Sequence, residues 1–435
     1  MIVDTMLATN TIHLGNTLDL LRQLPDSSID CCVSSPPYWS LRDYGSSATA
    51  IWDAKEGCEH SWTSHTQKWH SDRGNGKKKE VWDDKFQVEG TPSDTCSLCN
   101  AWKGQLGLEP DFKLYIKHLA DIFDEVKRAL KPTGTCWINL GDTYSGGKEG
   151  NTDEKNTQAN TATFSKPSQA VPSKSLLQIP SRFAIEMSDR GWILRNKIIW
   201  HKKNCMPSSA KDRFTNDYEE IFFFVKSKKY YFEQQLEAMS NLTLNDKRIG
   251  KAHNTGGKYL EDSGPNGGTP VRNRILNSIN PLGRNKRAVW RIATKPHPFA
   301  HFAVYPEELI ETPIKAGCPE KVCDKCGKPM MTEQKRPPRP FVHRNKKDGD
   351  ADLAIGGQYQ KWLDANPPIM ITKPSCSCNA PFQAGIVLDP FIGSGTTAIV
   401  AQRLNRRWMG FEINPEYLQI ANKRLGAKLA SYVER

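Results

Sequence analysis

Apolar residues recur along this chain in two rhythms. Residues 10–40 begin with a short extended run, Thr11-Ile-His-Leu14, that ends at Gly15. Leu18, Leu21 and Leu24 then share one helical face, and Ile29-Asp-Cys-Cys-Val33 reads as a buried strand stopping at Ser35-Pro36-Pro37-Tyr38. Further on, Leu119, Ile122, Phe123, Val126 and Leu130 fall at helical spacing, and Lys131-Pro132-Thr133-Gly134 closes that helix. The spacing then predicts a strand over 136–140, a helix over 182–189 ended by Gly191, and strands over 192–200 and 221–225. The C-terminal part repeats the grammar: a strand at 385–389, a glycine turn at 390–395, a helix over 396–404, a strand over 407–412 and a last helix opened by Pro415. Strands alternating with helices predict an α/β fold whose mainly parallel sheet is covered on both faces.

Four polar stretches, roughly 45–105, 145–175, 240–290 and 318–380, interrupt this framework and read as insertions at one end of the sheet. The length of 435 residues gives a prior of about three domains. No run approaches the ~18 uninterrupted apolar residues of a membrane span. The start of the chain lacks the basic and apolar segments of a secretory signal, so a soluble intracellular protein is expected. Sixty Lys and Arg against 48 Asp and Glu leave a net charge of +12, which favours a polyanionic partner and salt-sensitive binding. Twelve cysteines without an export signal point to metal rather than to disulfides.

Asp389-Pro-Phe391-Ile-Gly393-Ser394-Gly395-Thr396-Thr sits between a predicted strand and a helix. Glycines there let a ligand approach the backbone, and the helix N-terminus turns its N–H groups toward it. Glu412, at the end of the next strand, is placed to accept from ribose hydroxyls. A tight turn that only needs positive φ is the plainer reading. The nicotinamide fingerprint is absent, since Ala398 stands three after Gly395, and no Gly-Lys-Ser/Thr of a P-loop occurs. The stretch resembles instead the Phe-x-Gly-x-Gly S-adenosylmethionine motif of amino-methylating DNA methyltransferases.

Ser35-Pro36-Pro37-Tyr38 ends a buried strand with two residues that cannot donate backbone hydrogen bonds. The Ser35 hydroxyl and Pro36 carbonyl form an acceptor pair suited to an exocyclic amino group, whose delocalised lone pair such bonds would free for attack on a sulfonium methyl. Tyr38 is then expected to stack on a base extruded from the duplex. A proline-rich strand terminator is the alternative. Together the two segments resemble a β-group DNA amino-methyltransferase, in which Ser-Pro-Pro-Tyr precedes the cofactor motif.

That resemblance implies a Rossmann-like methyltransferase sheet of seven strands, circularly permuted so that the chain enters at its third strand, with zinc-binding and basic insertions. It implies catalytic roles for Ser35, Pro36, Pro37 and Tyr38, and cofactor contacts from Asp389, Phe391, Gly393, Ser394, Gly395, Thr396 and Glu412. Asn16 lies where the family has the Asp of a Gly-Asp pair, and its amide can both donate and accept. The segment His301-x-x-x-Tyr305-Pro306-x-x-Leu309-Ile310 resembles the helix that closes over the methionine moiety. A Ser at the first catalytic position is typical of the N4-cytosine branch. C5 chemistry is rejected because no Pro-Cys pair occurs.

Cys323-x-x-Cys326 and Cys376-x-Cys378 offer four thiolates for structural zinc, with Cys318 as a spare. Cys58-x-His60 and Cys96-x-x-Cys99 suggest a second site, in which His65 or His70 could replace His60. Cys31, Cys32 and Cys136 read as small buried residues, and Cys205 shows no partner.

The division that follows gives 1–45, 106–144, 176–235, 300–317 and 382–435 to the catalytic domain. It makes 46–105 an insertion with a zinc site, 145–175 a flexible polar loop, 236–299 the DNA target-recognition region and 318–381 a zinc-ribbon-like insertion. Lys77-Lys-Lys79, Arg272-Asn-Arg274, Arg284-x-Lys286-Arg287 and Arg344-x-Lys346-Lys347, with Trp69, Trp82, Tyr259 and Trp290 nearby, are candidates for phosphate and base contact. The leading expectation is a cytoplasmic enzyme, of a bacterial cell or phage-infected host, that methylates cytosine N4 in double-stranded DNA, with a cognate restriction enzyme as candidate partner. Adenine N6 is the first alternative and a non-catalytic zinc-stabilised DNA-binding protein the second; RNA or a protein amide suits the insertions less well.

Overall fold

In a computed structural model, which describes residues 7–65, 93–145, 171–238, 283–295, 304–335, 365–366 and 369–433, the chain begins as its apolar pattern requires. Strand β1 (Thr11–Leu14) leads into helix α1 (Thr17–Arg22), capped by Asn16 Oδ1, which accepts from Leu18 N at 2.8 Å. Leu24, expected on the helical face, lies beyond the helix end but is buried all the same. Strand β2 (Ile29–Ser34) is buried at every position, and the following prolines end it.

Helix α2 (Phe112–Ala129), capped by Asp111, passes directly into β3 (Leu130–Leu140). Then come α3 (Ile179–Asp189), β4 (Ile193–Lys202), β5 (Tyr218–Val225), β6 (Val289–Ile292) and α4 (Glu307–Gly317). The chain closes with β7 (Ile386–Asp389), α5 (Thr396–Arg403), β8 (Arg407–Glu412) and α6 (Pro415–Val433).

These eight strands form one sheet in the order β1-β8-β7-β2-β3-β5-β4-β6. The first strand pairs with the last, in keeping with a permuted chain, and the short edge strand β6 makes the sheet one strand wider than the seven expected. Pairing is parallel except at β5, which runs antiparallel to both β3 and β4. The mainly parallel sheet is therefore mixed at one side, because residues 203–217 form a direct return between β4 and β5 with no crossover helix.

Side chains alternate between two cores with the period of a strand. Cys32, Cys136, Ile138, Leu140, Phe222 and Phe224 pack with α1, α2 and α3. Cys31, Val33, Trp137, Ile221, Phe223 and Val225 pack with α4, α5 and α6. One buried carboxylate stitches the middle of the sheet: Asp30 accepts from Lys131 Nζ at 2.7 Å and from Ile386 N at 2.9 Å. Burial pushes its carboxyl above the ordinary value, against the lowering effect of Lys131.

Two compact units emerge. One holds Met1–Phe232, Ala288–Glu320 and Gln383–Arg435, and therefore the whole sheet; the other holds Glu233–Arg287 and Lys321–Phe382. In the first, the polar stretch after β2 folds as its own antiparallel sheet of Ala50–Trp52, Trp102–Gly104, Ser93–Cys96 and Trp62–His65. In the second, Met330–Lys335 pairs antiparallel with Ile369–Pro374, and Leu236–Glu237 with Arg284–Asn285. Among the described residues no helix is long and apolar enough to cross a membrane.

Helix α4 comes close to the sheet through a glycine. A Cβ on Gly317 would lie 2.3 Å from Thr135 Oγ1 and 2.5 Å from Trp137 Nε1, both inside van der Waals contact. Thr135 Oγ1 also donates to the Gly317 carbonyl at 3.0 Å. Gly317→Ala is expected to destabilise this unit by about 1–3 kcal/mol through overpacking, read as an earlier urea midpoint at unchanged slope.

Candidate active site

The ends of β2 and β7 lie side by side, Val387 opposite Cys31 and Leu388 opposite Cys32. Because the two strands are parallel, the turns that follow them leave from the same edge of the sheet. Ser34 Oγ donates to Asp389 Oδ1 at 2.6 Å and locks the two ends together. Asp389 also accepts from Phe391 N at 3.0 Å and from the hydroxyls of Thr397 and Tyr305. Burial raises its carboxyl above the ordinary value, while the bonds from Ser34 and Thr397 oppose that shift.

Beyond this junction opens a cavity of about 1050 Å³, its solvent-open mouth included. Asn16, Ser35, Pro37, Phe391, Gly393, Ser394, Thr396 and Glu412 all lie on its wall. Two segments more than 350 residues apart thus face one space. The glycine turn curls into it because Gly393 and Gly395 adopt φ of +49° and +79°, where a side chain is strained. Gly395 stands at the N-cap of α5. Glu412 accepts from Gly393 N at 3.0 Å and Asn414 N at 2.9 Å, and burial lifts its carboxyl to about 7.

Asp389, Gly395, Pro36 and Tyr38 are not among the wall residues. Asp389 and Gly395 act beneath the turn. Tyr38 stands behind Ser35, against Gly141, where a Cβ would come within 2.7 Å of its ring. Its hydroxyl accepts from Ser35 Oγ at 3.1 Å and from Asn139 Nδ2 at 2.6 Å, and donates to Glu219 Oε2 at 2.8 Å. The expected free stacking face is therefore replaced by a ring packed on backbone and pinned at its hydroxyl. The turn itself is held from below by Tyr115 Oη, which donates to the Pro37 carbonyl at 2.7 Å, and by Trp39 Nε1, which donates to the Glu109 carbonyl at 3.1 Å.

Several wall residues carry no sequence signal of their own. Ala48, Ala50, Trp52 and Gln105 come from the stretch read as an insertion with a zinc site, and Phe411 completes the apolar side beside Tyr305. Trp52 is steadied by His118, which is stacked between Trp52 and Trp102 at centroid distances of 4.8 and 5.7 Å and bonded to Glu109 at 3.1 Å. Tyr305 belongs to the segment that resembles the methionine-covering helix; His301 lies outside the described residues.

Both cysteine clusters assemble. The ligand atoms of Cys58, His60, Cys96 and Cys99 lie within 4.8 Å of one another, as do those of Cys323, Cys326, Cys376 and Cys378. His60 holds the ligand position, with Nδ1 3.3 Å from Cys99 Sγ; His70 lies outside the described residues. Cys318 is buried apart from the clusters, as are Cys31, Cys32 and Cys136. Cys205, expected without a partner, donates weakly to backbone carbonyls of Met206 and Asn216.

The basic candidates fare differently. Arg284 and Arg287 are both held by Glu237 Oε1, at 2.8 and 2.9 Å. Trp290, read as a base-contact residue, is instead a buried strand residue, because Val289–Ile292 alternates exposed and buried positions on β6. Lys77–Lys79, Arg272, Arg274, Arg344, Lys346, Lys347, Trp69, Trp82 and Tyr259 lie outside the described residues.

The N6/N4 methyltransferase family model, described as DNA methylase, matches residues 29–323 and 371–423 and so includes both site segments. Type II methyltransferase M.Cfr9I of Citrobacter freundii is 28% identical over 417 residues, covering 95% of this chain and 87% of that protein. M.SmaI of Serratia marcescens is 27% identical over 425 residues, covering 97% and 93%. Among solved structures, the PvuII DNA methyltransferase (cytosine-N4-specific) aligns with a TM-score of 0.45 and 15% identity over 97% of this chain and 88% of that one. The chain belongs to the N6/N4 DNA methylase family.

Proposed function

We propose that this DNA methyltransferase transfers a methyl group from S-adenosylmethionine to the exocyclic N4 of a cytosine flipped out of duplex DNA. The observation that carries the reading is the placement of Ser35 on the same cavity wall as Phe391, Gly393 and Glu412. The donor fits the residues present. Trp52, Phe391, Phe411 and Tyr305 offer aromatic surface to an adenine and a cationic sulfonium, and Glu412 and Asn16 offer polar atoms to ribose and base. When bound, the donor supplies an electrophilic methyl on sulfur. Ser35 then accepts an amino proton and orients the nitrogen, with the Pro36 carbonyl as second acceptor. A neutral hydroxyl at this position favours cytosine N4, as in the branch that the sequence resembles. A type II restriction enzyme of the same specificity is the partner class to which this reading leads.

The cysteine clusters fit structural zinc. Tetrahedral Zn–S bonds of about 2.3 Å place sulfurs about 3.8 Å apart, and Cys58 Sγ lies 4.0 Å from Cys96 Sγ. Four protein ligands at each cluster leave no open coordination position, so the ion would hold loops and take no part in transfer.

Three outcomes test these assignments. Incubated with unmethylated genomic DNA and isotopically labelled donor, the chain should place label on N4-methylcytosine, read by nucleoside mass spectrometry, and Ser35→Ala should lower the rate at least about 100-fold. Label on adenine N6 would move the assignment to that base. Purified chain should contain two zinc ions by elemental analysis, and Cys99→Ser should lose one and melt earlier whether or not DNA is present. Glu412, titrating at about 7, is anionic above that pH and accepts ribose hydroxyls more strongly as an anion. Donor affinity measured by calorimetry should therefore fall up to about tenfold from about pH 8 to about pH 6. Glu412→Gln should bind more weakly at the higher pH and lose that dependence.

A further inference from the structure

Behind Ser35, side chains from three further strands converge, two of them on the Tyr38 hydroxyl and the third on Glu219. Asn139 comes from β3, Lys202 from β4 and Glu219 from β5. Asn139 Nδ2 donates to Tyr38 Oη at 2.6 Å and to Glu219 Oε2 at 2.7 Å, and Lys202 Nζ donates to Glu219 Oε1. Donor chemistry fixes the direction of every bond. An ammonium and an amide NH₂ only donate, and a carboxylate only accepts. Tyr38 has a single proton and gives it to Glu219, so the 3.1 Å contact with Ser35 must be made by the serine proton. Ser35 Oγ consequently keeps only lone pairs for the cavity that it lines.

We propose that Glu219, acting through Tyr38, is the positioning residue that makes Ser35 a hydrogen-bond acceptor and the group on which the proton released by methyl transfer comes to rest. This rests on the methyl-transfer reading given above. As the base nitrogen bonds the methyl carbon, the C–S electron pair leaves with sulfur as a neutral thioether, and the nitrogen holds one proton too many. That N–H bond breaks toward Ser35 Oγ while the serine proton passes to Tyr38 Oη and the tyrosine proton to Glu219 Oε2. Both hydroxyls are regenerated, the carboxylate ends as a carboxylic acid, and solvent later takes the proton. Burial, with Glu219 alongside, holds the Tyr38 phenol well above its ordinary pKa, so it carries the proton that the relay needs. Asn139 spends both amide protons on this chain, and its Oδ1 is buried without a partner, a further sign that the cluster is arranged around the hydroxyl. Lys202 balances the carboxylate before transfer. The sequence reading shows a strand only over 221–225, and Glu219 lies just before it.

The test uses the full chain with unmethylated genomic DNA and labelled donor under single-turnover conditions, together with donor binding by calorimetry and thermal melting. Glu219→Gln keeps the shape of the side chain and removes the proton acceptor. It should slow transfer about 100-fold or more while donor affinity changes less than about threefold and kcat falls without a matching rise in KM. Tyr38→Phe, which keeps the ring against Gly141, should lose a similar factor, and the double variant should be no slower than the worse single one. Glu219→Asp should recover part of the rate. Transfer by Glu219→Gln or Tyr38→Phe within about threefold of the native rate overturns the proposal, and so do losses that multiply in the double variant. A native chain that labels no DNA overturns the methyl-transfer reading itself, whereas an active native chain with an active Glu219→Gln overturns the relay alone.

Discussion

Everything at this site depends on the parallel pairing of β2 with β7 and on the buried carboxylate that seals it. Parallel neighbours end at the same edge, and here the chain diverges from that edge in opposite directions, β7 leading to β8 and β2 to β3, which is where open α/β sheets leave a crevice. Asp389 fixes the geometry of the crevice more tightly than strand pairing alone could. Its two oxygens collect Ser34 from one strand, Phe391 and Thr397 from the turn and helix beyond the other, and Tyr305 from the segment before α4. An isolated buried carboxylate would cost several kcal/mol. Four donors offset that cost only when all four segments are in place, so the Ser35 turn, the glycine turn and the segment before α4 are set relative to one another by one group.

Much of this was legible in the sequence because the signals were local. The buried run Ile29–Val33, the helical spacing in α2 and the strand–turn–helix at 386–403 each lie within a single window, and both motifs are contiguous. What escaped was dispersed. Glu219, Asn139 and Lys202 sit on strands whose pattern reports only burial, and nothing in a linear reading joins them to Tyr38. Residues 45–105 are polar enough to read as an excursion, yet four of them wall the cavity, because a small antiparallel sheet needs few apolar residues when a cysteine cluster stands at its turn. Trp290 shows the opposite case: an aromatic among cations suggests base contact, while the alternation Val-Trp-Arg-Ile marks a strand with the indole buried.

The polar network behind Ser35 also shows where the sheet departs from ordinary core logic. β5 is apolar for most of its length, with Phe222, Phe223 and Phe224 in succession, yet at the end it shares with β3 Asn139 bonds Glu219 at 2.7 Å, and Glu219 turns toward Tyr38. Hydrogen bonds in such a setting reinforce one another when complete and are costly when any member is missing. A local rule broken directly behind a residue that lines a cavity is the pattern expected of function rather than of stability.

The cysteine cluster of the first unit belongs to the same reasoning. Cys96 and Cys99 lie in the turn that joins Ser93–Cys96 to Trp102–Gly104, and Cys96 N bonds to the Ala101 carbonyl at 2.7 Å. Trp102 pairs across the small sheet with Trp52, and both indoles clasp His118 of α2. Trp52 in turn forms part of the cavity wall. A metal ion at the cluster would therefore order a turn whose neighbours run without interruption to the cavity wall. The insertion is part of how the pocket is built: Ala48, Ala50, Trp52 and Gln105 stand on its wall.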